Sequence, residues 1–128
     1  MIVNANVSSM LMQFKVMRTF RMMFVLKDIK YTIMEKRAKL EAMDKMLREL
    51  DDVKNSQTSL LKKIAQLEAE NINAGVSLLD KSLPDVHGRA DDTIQTISKL
   101  IDDLQTYRDD FEIKNNLNVP LEESEAKG

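Results

Sequence analysis

Cysteine and tryptophan are absent from these 128 residues, and only three glycines, two prolines and one histidine occur. Without cysteine there is no disulfide framework, no thiolate nucleophile and no cysteine-ligated zinc or iron–sulfur site, and the redox compartment is left open. The one histidine, His87 in "PDVHGR", has no second histidine or cysteine with which to complete a metal site, and it reads as an exposed turn residue. No glycine-rich phosphate loop, GxSxG elbow, HExxH helix or EF-hand loop is present. Four Asp–Asp pairs (51–52, 91–92, 102–103 and 109–110) resemble metal ligands, yet neighbours on a helix point about 100° apart and do not converge on one ion. The expectation is a chain that is not an enzyme and uses no cofactor or metal. The scarcity of glycine and proline, with Leu, Met, Ala, Lys, Glu, Gln and Asp predominant, favours an all-α fold.

The net charge is only −2, but it is unevenly distributed. Residues 1–30 carry Lys15, Arg18, Arg21, Lys27 and Lys30 against Asp28 alone, a net of +4, whereas residues 31–83 are neutral and residues 84–128 carry −6. Such a dipolar chain is suited to pairing head to tail or to folding back on itself.

The strongest pattern lies in the middle. Leu26, Ile29, Ile33, Lys36, Leu40, Met43, Leu47 and Leu50 are spaced alternately three and four apart, as in the a/d seam of a heptad repeat. A further step of three reaches Val53, after which Gln57, Leu60, Ile64, Leu67 and Asn71 resume the alternation. Two consecutive steps of three predict a stammer that overwinds the supercoil locally. Lys36, Gln57 and Asn71 are polar seam positions of the kind that fix register or partner number at a cost in stability. "NSQTS" (residues 55–59) competes for backbone hydrogen bonds, but with no Gly or Pro a continuous helix is expected through it.

Gly75 in "NINAG" is a candidate helix C-cap, and "SLPD" (residues 82–85) reads as a capping box whose Pro84 is disfavoured inside a helix. A second three/four stripe follows: Ile94, Ile97, Ile101, Leu104 and Phe111, widened by Leu100 and Tyr107. The predicted fold is therefore an all-α helical hairpin, elongated rather than globular, in one helical domain. It comprises an N-terminal arm (1–9), a long coiled-coil helix (10–73), a hinge (74–90), an antiparallel second amphipathic helix (91–114) and a polar tail (115–128). At the standard rise the two helices span roughly 95 Å and 38 Å. The second helix then covers less than half of the first, leaving a seam for another chain to bury.

Residues 10–28, "MLMQFKVMRTFRMMFVLKD", hold five of the nine methionines and three of the four phenylalanines. Four basic residues are interleaved with these apolar ones, which suits neither a groove-reading basic helix nor a membrane span, so nucleic acid is not an expected partner. The segment is likewise a poor secretory signal. On a helical wheel the apolar residues fall nearly all round the axis, and a helix of that kind must be enclosed. Phe14, Met17, Phe20, Met23 and Phe24 are the candidate contact residues, methionine being suited to adaptable surfaces. Arg18 and Arg21 would be costly inside an enclosure unless paired with carboxylates, and Asp102 and Asp109 of the acidic helix are the candidates.

The expected function is that of a structural subunit which self-associates through the seam (Leu26, Ile29, Ile33, Leu40, Met43, Leu47, Leu50, Val53, Leu60, Ile64 and Leu67) and through the Met/Phe segment. A helical chaperone or adaptor for one partner chain, and membrane-surface binding by the N-terminal helix, are the alternatives. The plan is similar to that of small helical assembly proteins such as secretion-filament subunits, their chaperones and virion components, a likeness of layout in which no motif is shared.

Overall fold

A computed structural model describes the backbone of residues 2–120 and the side chains of residues 11–120. It is all-α, with two helices, α1 (Ile2–Ala74) and α2 (Ser77–Lys114), and no strand among the described residues. Contacts within the chain divide it into two units, Met1–Lys39 and Leu40–Gly128. The second unit is a helical hairpin in which residues 40–74 of α1 lie antiparallel to α2. Its two arms match in length at about 50–57 Å.

The helix is continuous through residues 55–59, and the polar side chains there bond backwards within it. The hydroxyls of Ser56, Thr58 and Ser59 donate to the carbonyls of Asp52, Lys54 and Asn55, each four residues earlier. Side-chain donors that compete with a helix in short segments are here absorbed by it.

The connection is shorter than expected. Instead of a hinge over residues 74–90, only Gly75 and Val76 separate the helices. Gly75 adopts φ +66°, a left-handed conformation that costs glycine nothing, and its N–H donates to the Asn71 carbonyl at 2.8 Å. Asn71 is buried and fully employed. Its Oδ1 accepts from Val76 N–H at 3.0 Å, and its Nδ2 donates to Val76 O at 3.2 Å and to Asp80 Oδ1 at 2.6 Å. The polar residue at the last seam position therefore ties the turn to the first turn of α2, where Asp80 also meets the positive helix end.

Pro84 lies inside α2. The capping-box reading of residues 82–85 is corrected accordingly: α2 begins five residues before Ser82, with Val76 at its N-cap. Proline removes one intrahelical hydrogen bond at a cost of about 3 kcal/mol. That cost is set against the burial of Leu83 and Ala90 on the same helix, which both require the helix to continue.

The far end of α2 closes differently from expectation as well. Asn116 takes φ 52°, its N–H donates to Ile113 O, and Leu117 N–H donates to Glu112 O at 3.0 Å. This is a Schellman motif with asparagine in the left-handed position. It turns Leu117 back onto the hairpin, where Leu117, Leu40 and Met43 form the buried cluster, with Leu104 and Phe111 packed against it. The polar tail thus begins later than residue 115, and its portion beyond residue 120 lies outside the described residues.

The seam inside the hairpin keeps strict alternation. Its positions on α1 are residues 40, 43, 47, 50, 54, 57, 61, 64, 68 and 71, and on α2 they are 83, 87, 90, 94, 97, 101, 104, 108 and 111, all of them buried or half-buried. There is no stammer. Lys54, Leu61 and Glu68 hold the positions expected for Val53, Leu60 and Leu67, which are 45–49 % exposed. Two substitutions follow from this packing. Met43→Ala, at a 3 % exposed site, is expected to destabilise the hairpin by about 2–4 kcal/mol. Gly88→Ala is expected to stabilise it by about 0.5–1 kcal/mol, because Gly88 is helical and an added Cβ meets nothing within 4 Å. Chemical denaturation of both variants checks the pair.

Candidate association surfaces

In the hairpin, Leu40, Met43 and Ile64 of the expected seam are buried, and Leu47 and Leu50 are half-buried, all facing α2. These side chains are used within the chain. Val53, Leu60 and Leu67 stand on the outside. In the N-terminal unit, Ile33 is half-buried, whereas Leu26 and Ile29 are exposed.

Sequence reasoning missed the ionic centre of the hairpin. Arg108 occupies a seam position four residues after Leu104 and three before Phe111, and its side chain is only 19 % exposed. Its Nε donates to Asp44 Oδ1 of α1 at 2.7 Å, while Nη1 donates to Asp109 Oδ1 at 3.0 Å and to Glu112 Oε2 at 2.5 Å. Hydrogen bonding to Asp44 and then to Asp109, reinforced by the nearby negative charge, raises the guanidinium pKa further above its ordinary value, so this cation is permanent. A fixed charge on a half-covered seam favours one register, since sliding either helix would take it away from Asp44, its carboxylate on the facing helix. The signal available in the sequence was the continuing three/four spacing, which places Arg108 on the apolar stripe rather than beside it.

His87 also belongs to the seam, not to a turn. Its Nδ1 lies 3.3 Å from Glu68 Oε1, within ion-pair range. The nitrogen is buried and lies off the line of a hydrogen bond to that oxygen.

The Met/Phe segment, described by itself, is exposed. Phe14, Met17, Phe20, Met23 and Phe24 are 62–71 % accessible, and shallow grooves run between Met12, Val16 and Met17 and between Phe20, Phe24 and Lys27. No helix among the described residues is long and apolar enough to cross a membrane. Of the expected charge partners, Asp109 is engaged by Arg108 and Gln105 within its own helix. Asp102 is exposed, and its carbonyl accepts from Thr106. No group of three or more His, Asp or Glu residues that could hold a metal ion occurs among the described residues.

Comparison with protein-family models, curated proteins and solved structures gives no match in any of the three.

A double-mutant cycle at Asp44 and Arg108 measures the ionic centre. With Asp44 40 % exposed and partly screened, the expected coupling is about 1 kcal/mol, larger than for a fully exposed pair. Equilibrium unfolding of Asp44→Ala, Arg108→Ala and the double variant reads it directly.

Proposed function

We propose that this protein is a non-enzymatic structural subunit that self-associates, with the Met/Phe segment of its N-terminal unit as the main contact. One observation carries the reading: between residues 11 and 26, eleven large apolar side chains are 55–72 % exposed around a helix. Together they amount to far more than the few hundred Å² of contiguous apolar surface that soluble monomers ordinarily expose. Methionine and phenylalanine lose little by repacking against copies of themselves, which favours an assembly interior over a single rigid groove.

The basic residues among them set the geometry of that contact. Arg18 and Arg21 need carboxylates once water is excluded, and the acidic α2 of a neighbouring copy offers Asp102, with Asp103 and Asp110 also exposed beside it. Asp109 is the weaker candidate because Arg108 already holds it. The hairpin then acts as the folded body of the subunit and the apolar segment as its connector. A helical chaperone would show the same exposed segment, but its mass in isolation would stay small and constant.

The test is the mass of the purified full-length chain by light scattering and sedimentation over a range of concentrations. Wild type is expected to form concentration-dependent assemblies larger than a dimer. Phe20→Asp with Phe24→Asp should abolish those assemblies and leave the hairpin's thermal unfolding unchanged. An unaltered mass distribution for that variant would contradict the reading. Tight binding of wild type to anionic vesicles, with no self-association in their absence, would reassign the segment to a lipid surface.

A further inference from the structure

The hairpin has two unlike flanks. If Leu40 is placed at position a of a heptad, the e positions of both helices fall on one side of the seam and the g positions on the other, as in any antiparallel pair. The e side is largely polar: Asp44, Thr58, Asp91, Ser98 and Glu112 lie there half-buried, with Arg108 reaching across to two of them. The g side is apolar. Met46, Val53, Leu60 and Leu67 recur every seven residues along α1 and are 45–49 % exposed. Leu79, Val86, Leu100 and Tyr107 recur in the same way along α2, with Thr93 completing the series, and are 37–53 % exposed.

Apolar residues at a, d and g form the wide stripe of a helix that packs against two neighbours, whereas each helix here has one. The seam shows the same deficit: Leu47, Leu50, Leu61, Ile94, Ile97 and Ile101 are only half-buried. Another helical layer over the g side would complete both.

The charges beside the g rows select which layer. Outside the g row of α1, at position c, stand Glu49, Ser56 and Lys63, and outside that of α2 stand Arg89, Thr96 and Asp103. The pairs Asp44–Arg108 and Glu68–His87 set the register of the hairpin and place Ser56 level with Thr96. About that level these three positions of each row are antisymmetric in charge, and the next c positions outward, Ala42 and Glu70 on α1 and Ser82 and Asp110 on α2, bring no like charges together. A second copy laid face to face and pointing the opposite way, on a two-fold axis through Ser56 and Thr96, sets Glu49 against Lys63 of the partner subunit and Arg89 against Asp103 of the partner subunit. Each pairing occurs twice. The same axis sets Met46 opposite Leu67 of the partner subunit and Val53 opposite Leu60 of the partner subunit. The other face-to-face arrangement, with both turns at one end, opposes Glu49 to Asp103 and Lys63 to Arg89, which is repulsive. Among the described residues, Arg89 pairs with the exposed Asp85 of its own helix at 3.3 Å, and both side chains are largely in solvent. A stable contact of this kind has to bury about 1,200 Å² or more over both copies, the scale of a standard specific interface, and the two g rows run the length of the hairpin to supply it.

We infer that the g face of the hairpin binds a second copy of itself in antiparallel orientation, closing a four-helix bundle. This contact is separate from the Met/Phe segment and does not rest on it.

Sedimentation equilibrium of the full chain carrying Phe20→Asp and Phe24→Asp isolates the hairpin contact. That background is expected to be a reversible dimer. Adding Glu49→Lys should weaken the dimer about tenfold, and adding Lys63→Glu to that variant should restore it to within about threefold, because the swap re-forms the pair across the two-fold axis. Leu60→Asp should yield a monomer with unchanged helicity. A background variant that stays monomeric at about 100 μM while fully helical, including one that dimerises only with some other helical protein, would overturn the inference. So would a charge swap that remains as weak as the single change. If instead the Phe variants leave the large assemblies intact while the charge swap behaves as described, the N-terminal reading fails and the bundle stands.

Discussion

The constraint on which the hairpin depends is the unbroken seven-residue register shared by its two helices. Once residues 40–71 face residues 83–111 in strict three/four alternation, every other row has a fixed place. Seam residues are covered only in part, the e rows hold the ionic network and the g rows point outward. A slip of one residue on either helix would bury Val53 or Leu60, but it would also take Arg108 away from Asp44 and Asn71 away from the turn. The polar groups thus choose among registers that apolar burial alone leaves close in energy.

That division of labour explains which parts of the fold were legible in the sequence. Helix content, the antiparallel return and the Gly75 cap follow from composition, stripe spacing and the need for a left-handed residue at a helix end. The register after Leu50 does not, because pattern reading ranks Val53 above Lys54 and Leu60 above the equally apolar Leu61. Lysine can lay its aliphatic stem along a seam while its ammonium group reaches water, so a half-covered two-helix interface accepts Lys54 where a closed core would not. The row through Val53, Leu60 and Leu67 is a genuine heptad row; its place is the flank of the seam.

Two further elements were hidden for similar reasons. Pro84 is a local signal for a helix boundary, and here the packing of Leu83 and Ala90 overrides it. Leu117 sits in a run of asparagines that reads as loop, yet a Schellman turn returns it to the core beside Met43. Of the candidate contact residues, those of the Met/Phe segment were legible as a stretch apolar all round the helix axis, and the structure shows their side chains exposed. The charged pair Asp44 and Arg108 was not, because it depends on a tertiary contact between residues 64 apart in sequence.

The central claim is that the seam of α1 pairs with α2 of the same chain, which leaves the outer rows and the N-terminal segment exposed. The absence of native cysteine allows a direct measurement: spin labels on Asp52→Cys and Lys99→Cys, two exposed positions on the outer faces of the paired helices, with the labelled protein diluted into excess unlabelled chain. Pulsed dipolar spectroscopy is expected to give a single short separation of about 20–30 Å, set by the interaxial spacing of packed helices plus the reach of the labels, and unchanged by dilution. A separation beyond about 50 Å, or a short one that disappears on dilution, would show that α2 pairs with another chain and would contradict the account.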